Sequence, residues 1–299
     1  MSVGSSPDGR GTWRRALEWI FLYRGSTRPV ALLRIATAIV LWSKFAPYMT
    51  LWSSLRTDRF LFSVSFYAST VLMLLGLKSR LASAWSAIAG LAFMLYGGLG
   101  LGLEEVANHH TSLLLLTTAF LAMTPCGHSY SVDRWRAVRA AEREGRAAPE
   151  ERGDLWATRL LMVLITIVYA GGVWAKLSTP GYLNGAEMEK LMILAWPGGD
   201  DISPPLLREL GRVGGLLVLL AEIFIPVGLW WPRTRKAAVA VGVILHLVFY
   251  VVVPVQTFSV TMILLYLAFV PADDVHRVID RLSGLTDRPA AEGGARSAA

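Results

Sequence analysis

Apolar residues gather along this chain in long uninterrupted runs rather than in the short periodic stretches of a soluble domain. The runs cover about 29–48, 60–77, 81–101, 108–123, 156–176, 213–231, 237–253 and 257–270. Several approach the twenty apolar residues that a helix needs to cross a bilayer. Short polar or proline-bearing breaks separate them. Pro29 suits an early helical position, Pro125 ends the fourth run, and Pro254 divides the seventh from the eighth. The pattern predicts an all-α, multi-pass transmembrane helical bundle of about eight spans. The eighth run is short for a full crossing, so seven spans is the alternative.

The segments between the runs are of different kinds. Residues 1–11 are rich in Gly, Ser, Pro and Asp and are expected to be disordered. Residues 13–23 are amphipathic, with Trp13, Leu17, Ile20 and Phe21 on one face and Arg14 and Arg15 near the start. That pattern fits a helix lying in the membrane interface. Residues 126–155 form a long polar loop suited to a short surface helix. Residues 177–211 form a second long connection, with an apolar patch at 191–196 that suits a re-entrant or interfacial piece. Residues 97–100 read as a flexible glycine-rich finish to the third run. The chain thus divides into a tail with an interfacial helix (1–28), a transmembrane domain (29–271) and a flexible C-terminal tail (272–299).

Composition agrees: 54% of residues are hydrophobic and 17% charged, against about a quarter charged in a soluble domain. The formal net charge is +7, but most arginines sit in loops between apolar runs. Anionic lipid headgroups are therefore the expected partner, and nucleic acid is not. Residues 126–155 carry six arginines, whereas 101–110 carry no Lys or Arg but hold Glu104 and Glu105. By the positive-inside rule, 126–155 and both termini face the cytoplasm of a cell-membrane protein, and 101–110 faces the opposite side. The N-terminal residues are too polar for a leader peptide, and Ser2 excludes an N-myristoylation signal. Cys126 is the one cysteine, so neither an internal disulfide nor a paired-cysteine metal site is expected.

Ionisable groups within spans are costly and mark candidate functional positions. Arg34 lies one turn into the first span, where snorkelling to the headgroups is the plainer reading. Asn108, His109 and His110 open the fourth span at the outer face, where an N-cap and two interfacial histidines are the plainer reading. Lys176 closes the fifth span on that same side. Glu222 and His246 lie mid-way in the sixth and seventh, without an easy route to the headgroups. A structural network between helices competes there with a functional role. Convergence of Asn108, His109, Lys176 and His246 would make an outward-opening pocket reaching mid-membrane, suited to a lipophilic substrate. An amine in apolar surroundings gives up its proton more readily and becomes a usable general base. Histidines can hold a substrate oxygen or shuttle a proton. No phosphate-binding glycine loop and no HExxH occur, and no metal site is expected.

Four blocks carry a resemblance. They are Arg28-Pro29-Val30-Ala31-Leu32-Leu33-Arg34-Ile35; Asn108-His109-His110-Thr111-Ser112-Leu113-Leu114 with Pro125 and Ser131-Val132-Asp133-Arg134; Tyr169-Ala170-Gly171-Gly172-Val173-Trp174-Ala175-Lys176-Leu177; and His246 with Phe258-Ser259-Val260-Thr261-Met262. In this order the chain resembles the vitamin K-dependent gamma-carboxylase family, and within it the shorter HTTM (horizontally transferred transmembrane) proteins of bacteria. The likeness covers about 30–270. It implies Lys176 as the base that starts oxidation of a reduced quinol, with His109 and His246 as further catalytic residues. Asn108, His110, Arg34, Glu222 and Tyr169 are the candidate substrate- or cofactor-binding residues. The implied cosubstrates are a vitamin K or menaquinol-type quinol, carbon dioxide and oxygen. Two departures stand out: Ala175-Lys176 replaces the family's adjacent lysine pair, and the large lumenal portion of the full carboxylase is missing. A protein-glutamate substrate is therefore not carried over.

Two functional classes remain open at this stage. One is a lysine-base membrane enzyme that modifies a substrate on the exported side, an exported peptide being one option. The other is a non-enzymatic membrane maturation or immunity partner of such a peptide. A transporter with a Glu222–His246 proton relay is a third reading, against which stands the lack of a visible two-fold internal repeat.

Overall fold

A backbone in lipid must satisfy its own hydrogen bonds, so the apolar runs fold as helices. The computed structural model describes residues 9–53, 56–195, 203–253 and 255–282. Among them the order is α1 (Gly9–Phe21), β1 (Arg24–Ser26), α2 (Arg28–Ser53), α3 (Thr57–Leu75), α4 (Ser79–Leu95), α5 (His109–Ala122), α6 (Val132–Arg143), β2 (Arg152–Asp154), α7 (Trp156–Ser178), α8 (Ala186–Ala195), α9 (Pro204–Trp230), α10 (Arg235–Val252), α11 (Gln256–Leu265) and α12 (Ala272–Leu282). The fold is an all-α, multi-pass membrane bundle. Of the segments expected as disordered (1–11) and as a flexible tail (272–299), residues 9–11 begin α1 and 272–282 form α12, which packs on α2; residues 1–8 and 283–299, together with Trp196 and Pro254, lie outside the described residues.

Six described helices are long and apolar enough to cross a membrane: Arg28–Thr50, Thr57–Leu75, Ser79–Gly100, Trp156–Ser178, Pro204–Trp230 and Arg235–Val252. Counting the pair Gln256–Ala268 and Ala272–Leu282, bent by 107°, as one span gives seven. The expected eight therefore falls to six or seven by length. The two runs that fall short are α5, of 14 residues, and α11, of 10 residues followed by a 3-10 turn at Tyr266–Ala268. At 1.5 Å per residue each reaches about 20 Å, below the ~30 Å hydrocarbon thickness. Both pack inside the bundle, α5 on α2, α4, α7 and α11, and α11 on α2, α5, α7 and α10.

These short helices still carry the chain from one face to the other. On one face, β1 pairs antiparallel with β2, matching Arg24 to Asp154, Gly25 to Gly153 and Ser26 to Arg152. Arg28 Nε meets Glu151 at 2.6 Å, the Asp133 amide donates to Gly76 O at 3.0 Å, and Lys236 pairs with Asp274 at 3.3 Å. His276 Nδ1 lies 2.8 Å from Arg28 Nη1. This basic face thus gathers the start of α2, the α3–α4 turn, α6, the starts of α7 and α10, and α12. On the far face, Lys44 Nζ donates to Glu105 O at 2.6 Å, Tyr48 bonds the Glu105 carboxylate, and Arg59 reaches Tyr96 Oη at 3.3 Å. The two-strand ladder was not expected. Its residues, Arg-Gly-Ser and Arg-Gly-Asp, carry no strand propensity, and its partners lie far apart in sequence.

Arg34 does not snorkel. Its side chain is fully buried, donating from Nη1 to Cys126 O at 2.6 Å and from Nη2 to Tyr130 O at 2.7 Å. It thus holds the turn before α6 from inside the bundle. Gly76, at φ +71°, makes room for it: a Cβ there would lie 2.6 Å from Arg34 Nη1 and 2.3 Å from Ser131 Cβ. The expected surface helix in 126–155 is α6, capped by Ser131 Oγ, which accepts from the Arg134 amide at 2.9 Å. The glycine-rich end of the third run is a π-helical turn, Tyr96–Gly100. A Cβ on Gly98 would lie 1.9 Å from Ala107 Cβ, so the glycine there serves close packing. The helix over 13–23 is α1, which docks on the bundle. Trp19 meets Trp230 with ring centroids 5.6 Å apart, and the Arg159 guanidinium lies over Trp19 at 4.0 Å and Tyr23 at 4.1 Å.

Candidate functional site

The site is built where four helices bring polar groups to a shared apolar wall. α7 contributes Tyr169 and, two turns later, Lys176. α9 contributes Glu222, and α10 contributes His246. The start of α5 adds His109 and His110. These residues line one cavity of about 380 Å³. Its remaining wall is mostly apolar, including Val168, Val218, Phe249 and Phe258. Every candidate singled out from the sequence is here except Asn108 and Arg34.

Lys176 is not a free amine. Its Nζ lies 2.8 Å from Glu222 Oε1 and 2.7 Å from Oε2. The Glu222 side chain is 7% exposed and that of Lys176 is 23% exposed, so the pair is sheltered with its cationic end nearer the mouth. Gly172 lies one turn before Lys176 on α7. A Cβ there would touch Glu222 Oε2 at 3.4 Å and Lys176 Nζ at 3.7 Å, so the bare backbone leaves the pair open to the cavity. Pro226, four residues after Glu222, removes the N–H that the Glu222 carbonyl would otherwise accept within α9.

A second polar cluster lies deeper. Tyr169 Oη is 2.9 Å from His246 Nε2 and also bonds Tyr266 Oη. His246 is buried, and among the described residues its Nδ1 has no hydrogen-bond partner. Phe249 and Phe258 flank the imidazole with centroids at 5.8 and 5.5 Å. His110 also meets Phe258, with ring centroids 5.0 Å apart, and meets His109 edge-on at 4.0 Å. An aromatic bridge thus links the histidines of α5 to that of α10.

Tyr266, Gly242 and Tyr182 were not anticipated. Gly242 stands one turn before His246, and its hydrogen faces Tyr266: a Cβ there would lie 2.2 Å from Tyr266 Oη. A glycine four residues from a buried histidine was the available signal. Tyr182, in the connection after α7, is buried against α9 and donates to Gly215 O at 3.1 Å. Burial, with the Glu222 charge second, pushes its hydroxyl up to about 12. The turn that holds it packs tightly, since a Cβ on Gly185 (φ +86°) would meet Arg208 O at 2.4 Å.

Asn108 sits beside the cavity as the N-cap of α5. Its Oδ1 accepts from the Thr111 amide at 2.9 Å and from Thr111 Oγ1 at 3.1 Å, and its Nδ2 donates to Glu105 O at 2.8 Å. All its polar atoms serve the local turn, which aims His109 and His110 into the cavity. Arg34 lies at the basic face, away from the cavity.

A larger apolar groove of about 730 Å³ runs between α8, α9 and α10. It shares Met188, Val218, Phe249 and Val253 with the polar cavity. Its other walls include Leu217, Ile244, Val248 and Val251, which are exposed on the outer surface of the helices. Polar cavity and apolar groove are thus neighbours across shared wall residues, with the ion pair on one side and the exposed apolar surface of α9 and α10 on the other. Among the described residues, no three His, Cys, Asp or Glu side chains converge as a metal cluster.

No curated protein and no solved structure matches the chain. The match to a known family rests on a family model described as the HTTM domain, which covers residues 51–273, from the end of α2 to the start of α12. With most of its length matched, and with α3 to α11 and all the residues lining the cavity within that match, the chain belongs to the HTTM domain family.

Proposed function

We propose that this protein is a membrane enzyme of the exported side, whose cavity takes the head of a lipophilic quinol-like cosubstrate. The carrying observation is the Lys176–Glu222 pair on the wall of a mostly apolar cavity that shares four wall residues with an exposed apolar groove. A volume of about 380 Å³ falls near the lower end of the roughly 300–1,000 Å³ typical of small-molecule sites. It suits a ring system rather than a folded peptide. The aromatic and aliphatic walls suit a fused ring, and the groove suits an apolar tail.

A bound quinol supplies an acidic hydroxyl and reducing electrons. Lys176 and Glu222 govern the proton. If Lys176 passes its proton to Glu222, a neutral amine and a carboxylic acid remain. The amine can then take a hydroxyl proton, leaving an ammonium beside the new oxyanion. His246 Nδ1, without a partner among the described residues, and the His109–His110 pair are placed to hold ligand oxygens. Tyr169, its hydroxyl bonded in turn to Tyr266, fixes the imidazole through Nε2. The arginine-rich face points to the cytoplasm by the positive-inside rule, so the site opens toward the other compartment, where an exported peptide is a fitting acceptor.

The test is mass spectrometry of small molecules extracted from the purified protein, paired with product analysis. Quinone enriched in the native protein and lost with Phe249→Trp, which narrows the cavity, supports the reading. An unchanged product from Lys176→Met removes the base assignment. A bound, unmodified peptide with no quinone favours a maturation partner without catalysis.

A further inference from the structure

At the basic face, on the other side of the membrane from the site above, lies a separate cavity of about 720 Å³. The start of α4 (78–81), the segment before α6, the first turns of α6 and the lead-in to β2 border it. Arg24, Lys78, Arg80, Arg134 and Arg152 line it, against the carboxylates of Asp133 and Glu150. Cations therefore exceed anions in the lining, and the arrangement sharpens the excess.

Asp133 is committed elsewhere. Its carboxylate accepts from the Lys78 amide at 2.9 Å, and from the Ser79 amide and Ser79 Oγ at 3.0 Å each, so its charge caps α4. Arg134 is held by Glu151 at 3.7 Å, and Arg24 by Asp154 at 3.0 Å. Arg80 is oriented through Nε to Ala122 O at 3.1 Å, which leaves its terminal nitrogens free to point elsewhere. Among the described residues, Lys78, Arg80 and Arg152 form no ion pair. Lys78 also sits in left-handed backbone, at φ +48°. A non-glycine residue is held there only by its surroundings. Here those are the Asp133 cap on its own amide and the fit of Gly76 against Arg34.

The rest of the wall is apolar, with Leu81, Pro125, Ala137 and Pro149. Leu81 is 69% exposed on the first turn of α4, the helix that enters the membrane there. The cavity thus joins three unpaired cations to a surface continuous with lipid.

We infer that this cavity is a binding site for the phosphate headgroup of an anionic phospholipid, with Lys78, Arg80 and Arg152 as its charged contacts. The phosphate sits among the three cations, and the first methylenes of the acyl chains run over Leu81. A soluble phosphate ester shares the headgroup chemistry but makes no use of the exposed leucine, which is why the lipid is the assigned source. Basic pockets beside cytoplasmic helix ends are suited to such headgroups.

The test uses the purified full-length chain in a neutral detergent. Affinity is measured for a short-chain phosphatidic acid, with short-chain phosphatidylcholine and inorganic phosphate as comparison probes. Phosphatidic acid is expected to bind well ahead of both. The triple variant Lys78→Gln, Arg80→Gln, Arg152→Gln is expected to bind it more weakly by roughly tenfold or more. A matched triple variant, Arg136→Gln, Arg143→Gln, Arg233→Gln, removes the same charge from exposed positions outside the cavity and is expected to keep the native affinity. Equal loss in both variants would show net charge at work and overturn the site. Equal binding of inorganic phosphate would overturn the lipid assignment. Unchanged binding in the first variant would overturn both.

Discussion

The buried ion pair offers the sharpest test of the cavity. Lys176→Met leaves the Glu222 carboxylate, 7% exposed, without the ammonium that now touches both of its oxygens at 2.8 and 2.7 Å. Removing one partner of a buried pair costs about 3–5 kcal/mol, because the remaining charge stays desolvated. Glu222→Gln strands the ammonium instead. Lys176 is 23% exposed and nearer the mouth, so part of its hydration can be recovered, and about 2 kcal/mol is expected for this change. The double variant Lys176→Met, Glu222→Leu removes both charges and fills the space with apolar atoms. Its stability should return to within about 1 kcal/mol of the native protein, a coupling of several kcal/mol in the double-mutant cycle. Reversible unfolding in mixed micelles, followed by tryptophan fluorescence, measures all four proteins under one condition. Activity should be absent from all three variants, including the stable double variant. Additive single-variant costs would refute the reasoning, since they would show that each group meets solvent or another partner. A double variant that keeps activity would separate the pair from the chemistry.

Four other outcomes are expected. Gly242→Ala should cost about 1–3 kcal/mol by overpacking and lower activity. Its Cβ would overlap fully buried Tyr266 and disturb the Tyr169–His246 bond; thermal unfolding and activity assays check it. Asn108→Ala should cost about 1 kcal/mol as a lost N-cap, while Asn108→Ser keeps stability and activity; a dead but stable Asn108→Ser would give Asn108 a direct role. Arg34→Met should cost about 2–4 kcal/mol, as two charged hydrogen bonds to carbonyls vanish from a fully buried site. Native quinone content in the refoldable fraction would confirm that its effect is structural. Finally, cysteines installed at Glu104 and Arg143 should differ in intact cells treated with a membrane-impermeant thiol reagent, labelling at 104 and none at 143. Cys126 is fully buried and burial pushes its thiol up, so the native protein serves as the unlabelled baseline.

The sequence made the bundle legible because bilayer length and apolar run length are tied by helix rise. Two of its eight runs are too short to span by length and pass through the bundle interior instead. Residues 108–123 and 257–270 are hydrophobic because neighbouring helices cover them, and hydropathy alone does not distinguish that cover from lipid. Most of the cavity was legible for a related reason. Lys176, Glu222 and His246 are polar in places where lipid would penalise them, so their presence signals partners. Arg34 met the same criterion for a different cause: it hydrogen-bonds backbone carbonyls of a turn some ninety residues away, a contact with no local signature. Tyr266 and Tyr182 are unremarkable residue types in apolar or loop surroundings, so only packing brings them to the site. The Lys176–Glu222 contact joins α7 to α9 and depends on how those helices are rotated about their axes, which loop charges do not specify.

The short ladder between Arg24–Ser26 and Arg152–Asp154 sets an order on biogenesis. Its first strand emerges from the ribosome before any span has been made. Its second emerges only after α2 to α6 are complete. Until then Arg28 lacks Glu151, Thr27 lacks the Glu151 carbonyl its amide bonds at 3.0 Å, and the basic face of the nascent chain stays open. Closing a contact of such long range is slow beside helix formation. It ends at Leu155, whose amide donates to Tyr23 O at 2.7 Å immediately before α7 begins. The ladder therefore works as a latch on the first half of the chain. α7, which carries Lys176, starts from the strand that ties the lead-in of α2 into the basic face.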